Sequence, residues 1–193
     1  MTNRAAEPEV PASVLAARSR AEVLVSAEDV QQAVDRVAVR LALALCRANP
    51  LVLVVMHGGL PYAGELLKRL SFPLELGYLH VSRYRGATSG GTLRWHHEPA
   101  YDLAGRTVLL VDDVFDQGET LAALCAWARQ AGARRVLTTV LVDKQVGVPR
   151  RLDVDYAALV CPDRYLFGCG MDYRGYWRNL TGIYALPPDL EST

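Results

Sequence analysis

The sequence lacks the features that would recruit a large charged or apolar partner. Its 21 basic and 21 acidic residues cancel, so no global field would attract nucleic acid or an anionic membrane. No apolar run approaches the length of a membrane span, and the first residues, MTNRAAEPEVPASV, lack the apolar core of a signal peptide. These absences predict a cytoplasmic protein without a membrane anchor.

Three common site signatures are also missing. The four cysteines form no CxxC pair and show no ligand-like spacing to a histidine, so we interpret them as free thiols rather than metal ligands or disulfides. Neither GxxxxGK[ST] nor GxGxxG occurs in the chain. The sequence therefore carries neither a Walker loop nor a dinucleotide-binding fingerprint.

The sequence does contain an alternation of strand and helix patterns. Apolar runs at 51–56, 107–111 and 136–142 predict buried strands, and segments with helical spacing lie between them. This alternation predicts an α/β fold with an open, twisted, mainly parallel sheet flanked by helices. We expect residues 1–25 to form a loose arm and residues 26–193 to form a single domain.

Two further segments bear on the site. Ser26 and Asp29 have the spacing of a capping box, which predicts that a helix begins there. The polar, glycine-rich stretch at 83–106 is long for a loop in a compact domain. We interpret this stretch as a mobile lid with a short hairpin near 92–96.

An apolar strand runs directly into a cluster of acids in the segment DDVFDQGET, which spans 112–120. Ligands of such sheets bind beyond the carboxyl ends of the strands, where Asp112 and Asp113 could reach sugar hydroxyls or a bound cation. The free amides that follow Asp116 would form an anion cradle at a helix start. Gly118 permits the positive φ that such a cradle needs. A ligand with a sugar at one end and a phosphate at the other satisfies both features.

A simpler interpretation is that Asp113 or Asp116 only caps the helix while the other acids are solvated. Capping accounts for one carboxylate and leaves the other two unexplained. The segment is therefore more consistent with a ligand site than with a cap.

VLLVDDVFDQGETL resembles the phosphoribosyl-pyrophosphate signature of the type I phosphoribosyltransferases. VVMHGG resembles the loop after the first strand of that family, and SRYRGATSGG resembles its mobile lid. LVDK and CPDRYLFGCGMDYRGYWRNL resemble the purine-binding end of the hypoxanthine-guanine members. The similar segments occur in the same order between about Val52 and Leu180. The resemblance implies the fold of that family, with a small hood and a lid.

The resemblance also implies roles for the residues around the acidic segment. Asp112 and Asp113 would hold the ribose hydroxyls, directly or through Mg²⁺, and Asp116 would act as general base or acid at the purine imidazole nitrogen. His57 and Gly58 would contact pyrophosphate through their backbone, by way of a non-proline cis peptide. The residues implied to cradle the ribose phosphate are Gln117, Gly118, Glu119 and Thr120.

A second group of roles concerns the purine and the pyrophosphate. Lys144 would donate to the exocyclic oxygen of the base, Tyr165 would stack on it and Leu166 would offer main-chain bonds. Asp172 would bind a second Mg²⁺ beside the base, and Arg178 would bind the pyrophosphate. Arg83 and Tyr84 belong to the lid.

Three positions depart from the family pattern. Gln117 replaces a hydroxyl residue, Glu119 places a carboxylate in the phosphate cradle, and His57 stands where a lysine is usual. The histidine would make any cationic help to pyrophosphate depend on pH. These departures bear on ligand affinity and remove no catalytic group.

The residues alone allow other interpretations of several positions. Lys144 could be an ordinary lysine at a strand end, Tyr165 and Phe167 could be core aromatics, and Asp172 with Arg178 could form a surface ion pair. The adjacent pair His96 and His97 is a poor metal site, because neighbours on an extended segment diverge.

The leading hypothesis is a purine salvage enzyme that joins hypoxanthine or guanine to the phosphoribosyl group of phosphoribosyl pyrophosphate. The resemblance implies Mg²⁺ as cofactor and a homodimer or homotetramer. Two alternatives stay open: a phosphoribosyltransferase for xanthine or another base, and an RNA-binding regulator of the same fold. The arginines that could serve RNA phosphates in that regulator are Arg134, Arg135, Arg150 and Arg151.

Overall fold

The computed structural model of the protein describes residues 9–83 and 93–191. The helices are α1 (Ala12–Arg20), α2 (Ala27–Leu45), α3 (Gly59–Leu67), α4 (Glu119–Gln130) and α5 (Pro188–Glu191). The strands are β1 (Glu22–Val25), β2 (Leu51–Met56), β3 (Glu75–Arg83), β4 (Leu93–His97), β5 (Thr107–Phe115), β6 (Arg135–Gln145), β7 (Tyr156–Pro162), β8 (Leu166–Phe167) and β9 (Ile183–Ala185).

Six strands form the main sheet in the order β4-β3-β2-β5-β6-β7. All neighbours are parallel except β4, which pairs antiparallel with β3 at one edge. The mainly parallel sheet predicted from the apolar runs is therefore confirmed. The parallel order brings the carboxyl ends of β2, β3, β5 and β6 to one edge of the sheet, which is where ligands bind in such folds.

The helices cover both faces of the main sheet. One core cluster joins α2 and α3 to alternate residues of β2 and β5, among them Val52, Val54 and Val111. The other joins α4 to the intervening residues, such as Leu53 and Leu110. Because side chains alternate along a strand, burial of both faces requires the continuous apolar runs of β2 and β5. Ser26 caps α2 as predicted, since its Oγ accepts a hydrogen bond from the Asp29 amide at 3.1 Å.

A second sheet, β1-β9-β8, forms the hood. Helix α1 packs beside it: Val14 and Ala17 are buried in one cluster with Phe167, and the Trp177 indole donates to the Val14 carbonyl at 2.9 Å. The loose arm predicted for residues 1–25 is therefore wrong for residues 12–25. This segment is held by contacts with the far end of the chain, and such contacts leave no local signal in the sequence.

Strand β5 is longer than predicted. It extends from Thr107 to Phe115, so Asp112 and Asp113 lie within the strand rather than beyond it. The short hairpin predicted near 92–96 corresponds to β4, while residues 84–92 of the expected lid lie outside the described residues. In the parts of the chain that the structure covers, none of the helices has the length and apolar character needed to cross a membrane.

Candidate active site

The acidic cluster lies where β5 extends beyond the end of its neighbour β2. The ladder between β2 and β5 ends at the pair Val54 and Val111, whereas the ladder with β6 continues to Phe115. After Met56 the chain turns away into α3, so the backbone beside Asp112 and Asp113 has no β2 partner. The start of α3 packs against β5 there instead, since a Cβ on Gly59 would lie 2.7 Å from the Val111 carbonyl oxygen and 3.2 Å from the Asp112 Cα.

The two adjacent aspartates are held by local backbone bonds. The Asp112 carboxylate accepts from the Asp113 amide at 3.0 Å, and the Asp113 carboxylate accepts from the Val114 amide at 2.9 Å. Burial raises the pKa of Asp112 well above its usual range, and the neighbouring charge of Asp113 raises it further. Burial also raises the pKa of Asp113, while hydrogen bonds and the charge of Arg178 oppose that rise.

The raised pKa of Asp112 predicts that this carboxyl group destabilises the fold at neutral and higher pH. The folded state holds this proton to a higher pH than the unfolded chain does, so its stability falls as pH rises from about 4, the unfolded value. In metal-free buffer at pH 8, Asp112→Asn should therefore stabilise the fold by on the order of 1 kcal/mol, raising Tm by about 2–4 °C. The amide oxygen can still accept from Asp113. Thermal unfolding at pH 8 and pH 4 measures the effect.

The gain should shrink at pH 4, where the wild-type carboxyl is protonated in the folded state and already about half protonated in the unfolded chain. Asp153→Asn serves as control, because Asp153 is exposed and such changes usually stay within about 0.5 kcal/mol. Equal changes in Tm for both variants, or a gain that is the same at both pH values, would contradict the prediction.

The start of α4 has the geometry of an anion cradle. Gly118 precedes the helix with φ +74°, and no side chain caps the helix there. The interpretation of Asp113 or Asp116 as a helix cap is thereby excluded. A cavity of about 480 Å³ runs along the segment Asp112–Leu121 and includes Gln117 and Thr120. Glu119 is half-buried in the first turn of α4 and lines the same cavity.

A second cavity of about 210 Å³ has the size for a flat heterocycle. Its lining residues come from β5, from the end of β6 and from the hood: Asp113, Val114, Asp116, Lys144, Arg164, Tyr165, Leu166, Met171 and Asp172. Tyr165 is 40% exposed, whereas Phe167 is fully buried in the core. The structure thus separates the two aromatics that the sequence left unresolved. Tyr165 lies on the cavity wall, and Phe167 is a packing residue.

Lys144 lies at the base of this second cavity, near the end of β6. Its ammonium is 2.9 Å from an Asp163 oxygen and 3.6 Å from an Asp116 oxygen. The lysine side chain is only 12% exposed, unlike an ordinary lysine at a strand end. Ion pairs therefore hold the Lys144 ammonium in place as a hydrogen-bond donor beside Asp116. The sequence analysis did not select its other partner, Asp163.

Two glycines bring separate loops into contact behind Asp113. A Cβ on Gly58 would lie 2.1 Å from an Asp113 carboxylate oxygen, and a Cβ on Gly170, which has φ +106°, would lie 2.0 Å from the Gly58 carbonyl oxygen. Arg178 donates to the Gly170 carbonyl at 2.6 Å. The Met56–His57 peptide bond that opens the first loop is cis. The loop after β2, the acidic strand and the hood thus meet at one point.

The structure brings most of the predicted site residues to this edge. The exceptions are the lid residues: Tyr84 lies outside the described residues, and only the backbone of Arg83 is described. Sequence reasoning missed Gly170, Met171 and Asp163, although the glycine-rich run GCG at 168–170 gave a signal for the first. The individual roles proposed for the site residues stay predictions.

The donor set at the end of β5 fits magnesium. Asp112 and Asp113 offer adjacent carboxylates whose mutual repulsion a divalent cation would relieve. Among residues 9–83 and 93–191, no group of three or more potential ligands could hold a metal alone. Mg²⁺ is commonly bound through one or two carboxylates together with substrate phosphates. Asp172, the other predicted ligand, pairs with Arg178 at 2.5 Å.

Comparison with known proteins agrees with this geometry. The family model described as phosphoribosyl transferase domain matches residues 22–174, and the chain belongs to this family. A hypoxanthine-guanine phosphoribosyltransferase of Streptococcus pneumoniae is 30% identical over 172 residues, which cover 89% of this chain and 96% of that protein.

Two solved structures extend the comparison. A hypoxanthine phosphoribosyltransferase from Trypanosoma cruzi, a K68R mutant in a ternary substrates complex, has a TM-score of 0.82 and 29% identity, over 90% of this chain and 99% of that one. A hypoxanthine phosphoribosyltransferase from Staphylococcus aureus has a TM-score of 0.85 at 23% identity, over 91% of this chain and 97% of that one. The latter bears on the fold alone.

Proposed function

We propose that the protein transfers the phosphoribosyl group of phosphoribosyl pyrophosphate to hypoxanthine or guanine, with release of pyrophosphate, in purine salvage. One observation carries the proposal: the two cavities of the site share Asp113, Val114 and Asp116. A flat base in the smaller cavity and a sugar phosphate in the larger one would therefore meet beside Asp116. The names of the relatives support the same substrates.

The charges of the site match the reaction. Departure of pyrophosphate builds positive charge on the ribose ring and negative charge on the leaving group. Asp112 and Asp113 would lie on the side of the sugar, and Arg178, which donates to the Gly170 carbonyl beside Gly58, would lie on the side of the pyrophosphate. Groups held in place before the reaction stabilise such charges without the cost of reorganisation.

Proton transfer at the base falls to Asp116. Its side chain is about half exposed at the junction of the cavities, so one carboxylate oxygen can face the imidazole edge of a bound purine. The Lys144 ammonium beside it would donate to the exocyclic oxygen, which selects 6-oxopurines over 6-aminopurines. Tyr165 would cover the face of the ring.

Asp112 and Asp113 would also hold magnesium together with the ribose hydroxyls or the pyrophosphate. The bound ion would supply positive charge that offsets the charge developing on the leaving group. Asp172 is the second proposed ligand, and it would have to exchange its contact with Arg178 for the metal.

Turnover of a substrate panel tests the proposed function. Hypoxanthine, guanine and xanthine are each incubated with phosphoribosyl pyrophosphate and Mg²⁺, and the nucleotide product is measured. Turnover of hypoxanthine or guanine is expected, with adenine inactive as the matched control. Absence of product from all three 6-oxopurines at high enzyme concentration would refute the function, and turnover of xanthine alone would move it to the alternative base.

The remaining expectations belong to the same proposal. We propose a homodimer or homotetramer and a cytoplasmic location, the latter supported by four cysteines that are all free thiols. The RNA-binding alternative finds little support, because one of its four arginines is committed elsewhere. Arg150 pairs with Asp143 and stacks over the Phe115 ring at 4.4 Å. Steep salt-dependent RNA binding would revive that alternative.

A further inference from the structure

All four histidines of the chain lie close together: His80 is on β3, His96 and His97 are on β4, and His57 follows β2. The His80 ring, on β3, lies 4.6 Å from the His57 ring and 4.6 Å from the His96 ring, measured between centroids. His57, His80 and His96 therefore form a continuous row of imidazoles, called here the histidine row. His97 lies beside the row and stacks on Tyr78 at 4.4 Å.

A β-bulge creates the histidine row. In the ladder between β3 and β4, His80 pairs with His97 while the next residue, Val81, pairs with Trp95, so His96 is the extra residue. A bulge places two consecutive side chains on one face of the strand. The expectation that His96 and His97 diverge is therefore wrong, and both rings lie on the face that carries His80.

The surroundings of His80 favour its uncharged ring. The His96 ring nitrogen lies 2.8 Å from the Ser82 hydroxyl, and Arg94, opposite Ser82 in the ladder, adds a fixed positive charge on the same face. Burial lowers the pKa of His80, and the charges of the other three histidines lower it further.

One end of the row reaches the site. His57 is the residue before Gly58, whose Cα packs against the Asp113 carboxylate and whose carbonyl packs against Gly170. The His57 side chain is exposed, so an anion at this loop can approach its ring. The opposite end of the row, at His96, is also exposed and open to protons from solvent.

We propose that the histidine row is a proton-linked anion site, which takes up a proton when a diphosphate group binds at the His57 loop. The inference rests on the proposed function, because the proposed donor substrate carries this group. A diphosphate near His57 favours the charged imidazole, and the adjacent His80 ring can share the proton. The row would then carry more positive charge when the anion is present than when it is absent.

Linkage sets the size of the effect. If protonation of the row tightens diphosphate binding by a given factor, binding raises the pKa of the row by the logarithm of that factor. Couplings between linked sites commonly amount to roughly 5-fold or more. We therefore expect pyrophosphate to raise the pKa of His57 by about 0.7, with a smaller rise at His80.

NMR titration of the untagged protein tests this inference, because four histidines give four resolvable ring signals. Each signal is assigned by a single His→Gln variant and followed from pH 5 to 8.5, with and without inorganic pyrophosphate. The expected result is an upward shift for His57 and His80 and an unchanged curve for His97. Direct observation of the rings avoids the titration of pyrophosphate itself.

Two variants sharpen the test. In His80→Gln, the shift of His57 on adding pyrophosphate should be smaller, while His97→Gln should leave it intact. Unmoved titration curves for all four histidines in saturating pyrophosphate would overturn the inference, even if the substrate panel shows turnover. Shifted curves with no turnover of any purine would instead retain the anion site and refute the proposed reaction.

Discussion

Asp116→Asn is expected to lower kcat by roughly 10²–10⁴-fold while KM for the purine changes little, because general acid–base catalysis typically contributes that factor. The asparagine keeps the volume and one oxygen of the side chain and loses the ability to take or give the proton. Asp116 lies at the junction of the two cavities, so no other wall of either cavity needs to move. Steady-state kinetics with hypoxanthine at saturating phosphoribosyl pyrophosphate gives both constants.

The Lys144 ammonium complicates the interpretation of this variant. It lies 3.6 Å from Asp116, so the substitution also removes a carboxylate from the lysine. Asp163→Asn provides the matched control, since it removes the carboxylate at 2.9 Å from the same ammonium and leaves Asp116 in place. We expect the control to lower kcat by less than about 10-fold, below the range for a lost general base. Equal losses in both variants would assign the effect to the lysine and contradict the role of Asp116.

The sheet and the acidic edge were predictable from sequence because their determinants are local. The short, β-branched runs LVLVVM and TVLLV favour strands buried on both faces, and Ser26 with Asp29 marks a helix start that the structure confirms. Three carboxylates and a glycine around the turn after such a strand also predict a ligand site from local sequence alone. The family resemblance added the order of the remaining segments, and the comparisons agree with that order.

The features that sequence reasoning missed depend on contacts between separate elements. Helix α1 is held by the Trp177 indole and by Phe167, both near the far end of the chain, so its own residues give little sign that it is ordered. The bulge at His96 arises from the pairing of β3 with β4, which no single strand encodes. In both cases the stabilising partner lies on another element, near the far end of the chain for α1 and on the preceding strand for β4.

Gly170 is another residue that sequence reasoning missed, and its substitution is expected to have a large effect on activity. Gly170→Ala is expected to reduce kcat/KM by at least about 10²-fold, since displacements near 1 Å around a site can cost that factor. A methyl group at this position would lie 2.0 Å from the Gly58 carbonyl oxygen and 3.4 Å from the Asp113 side chain. Because the first clash is with backbone, the loop of His57 and Gly58 must move, and Asp113 must move with it.

The substitution also places an alanine at φ +106°, and this strain has to be separated from the displacement of the loop. Gly147→Ala is the control, because Gly147 has φ +65° and no atom lies within 4 Å of the added methyl group. Both variants should lose stability, at Gly147 by roughly 1–2 kcal/mol, but only Gly170→Ala should lose activity. Full activity in a folded Gly170→Ala protein, verified by thermal unfolding, would show that the hood and the loop after β2 need not be in register for the reaction. It would thereby remove the structural link proposed here between the pyrophosphate loop and the acids that hold the sugar.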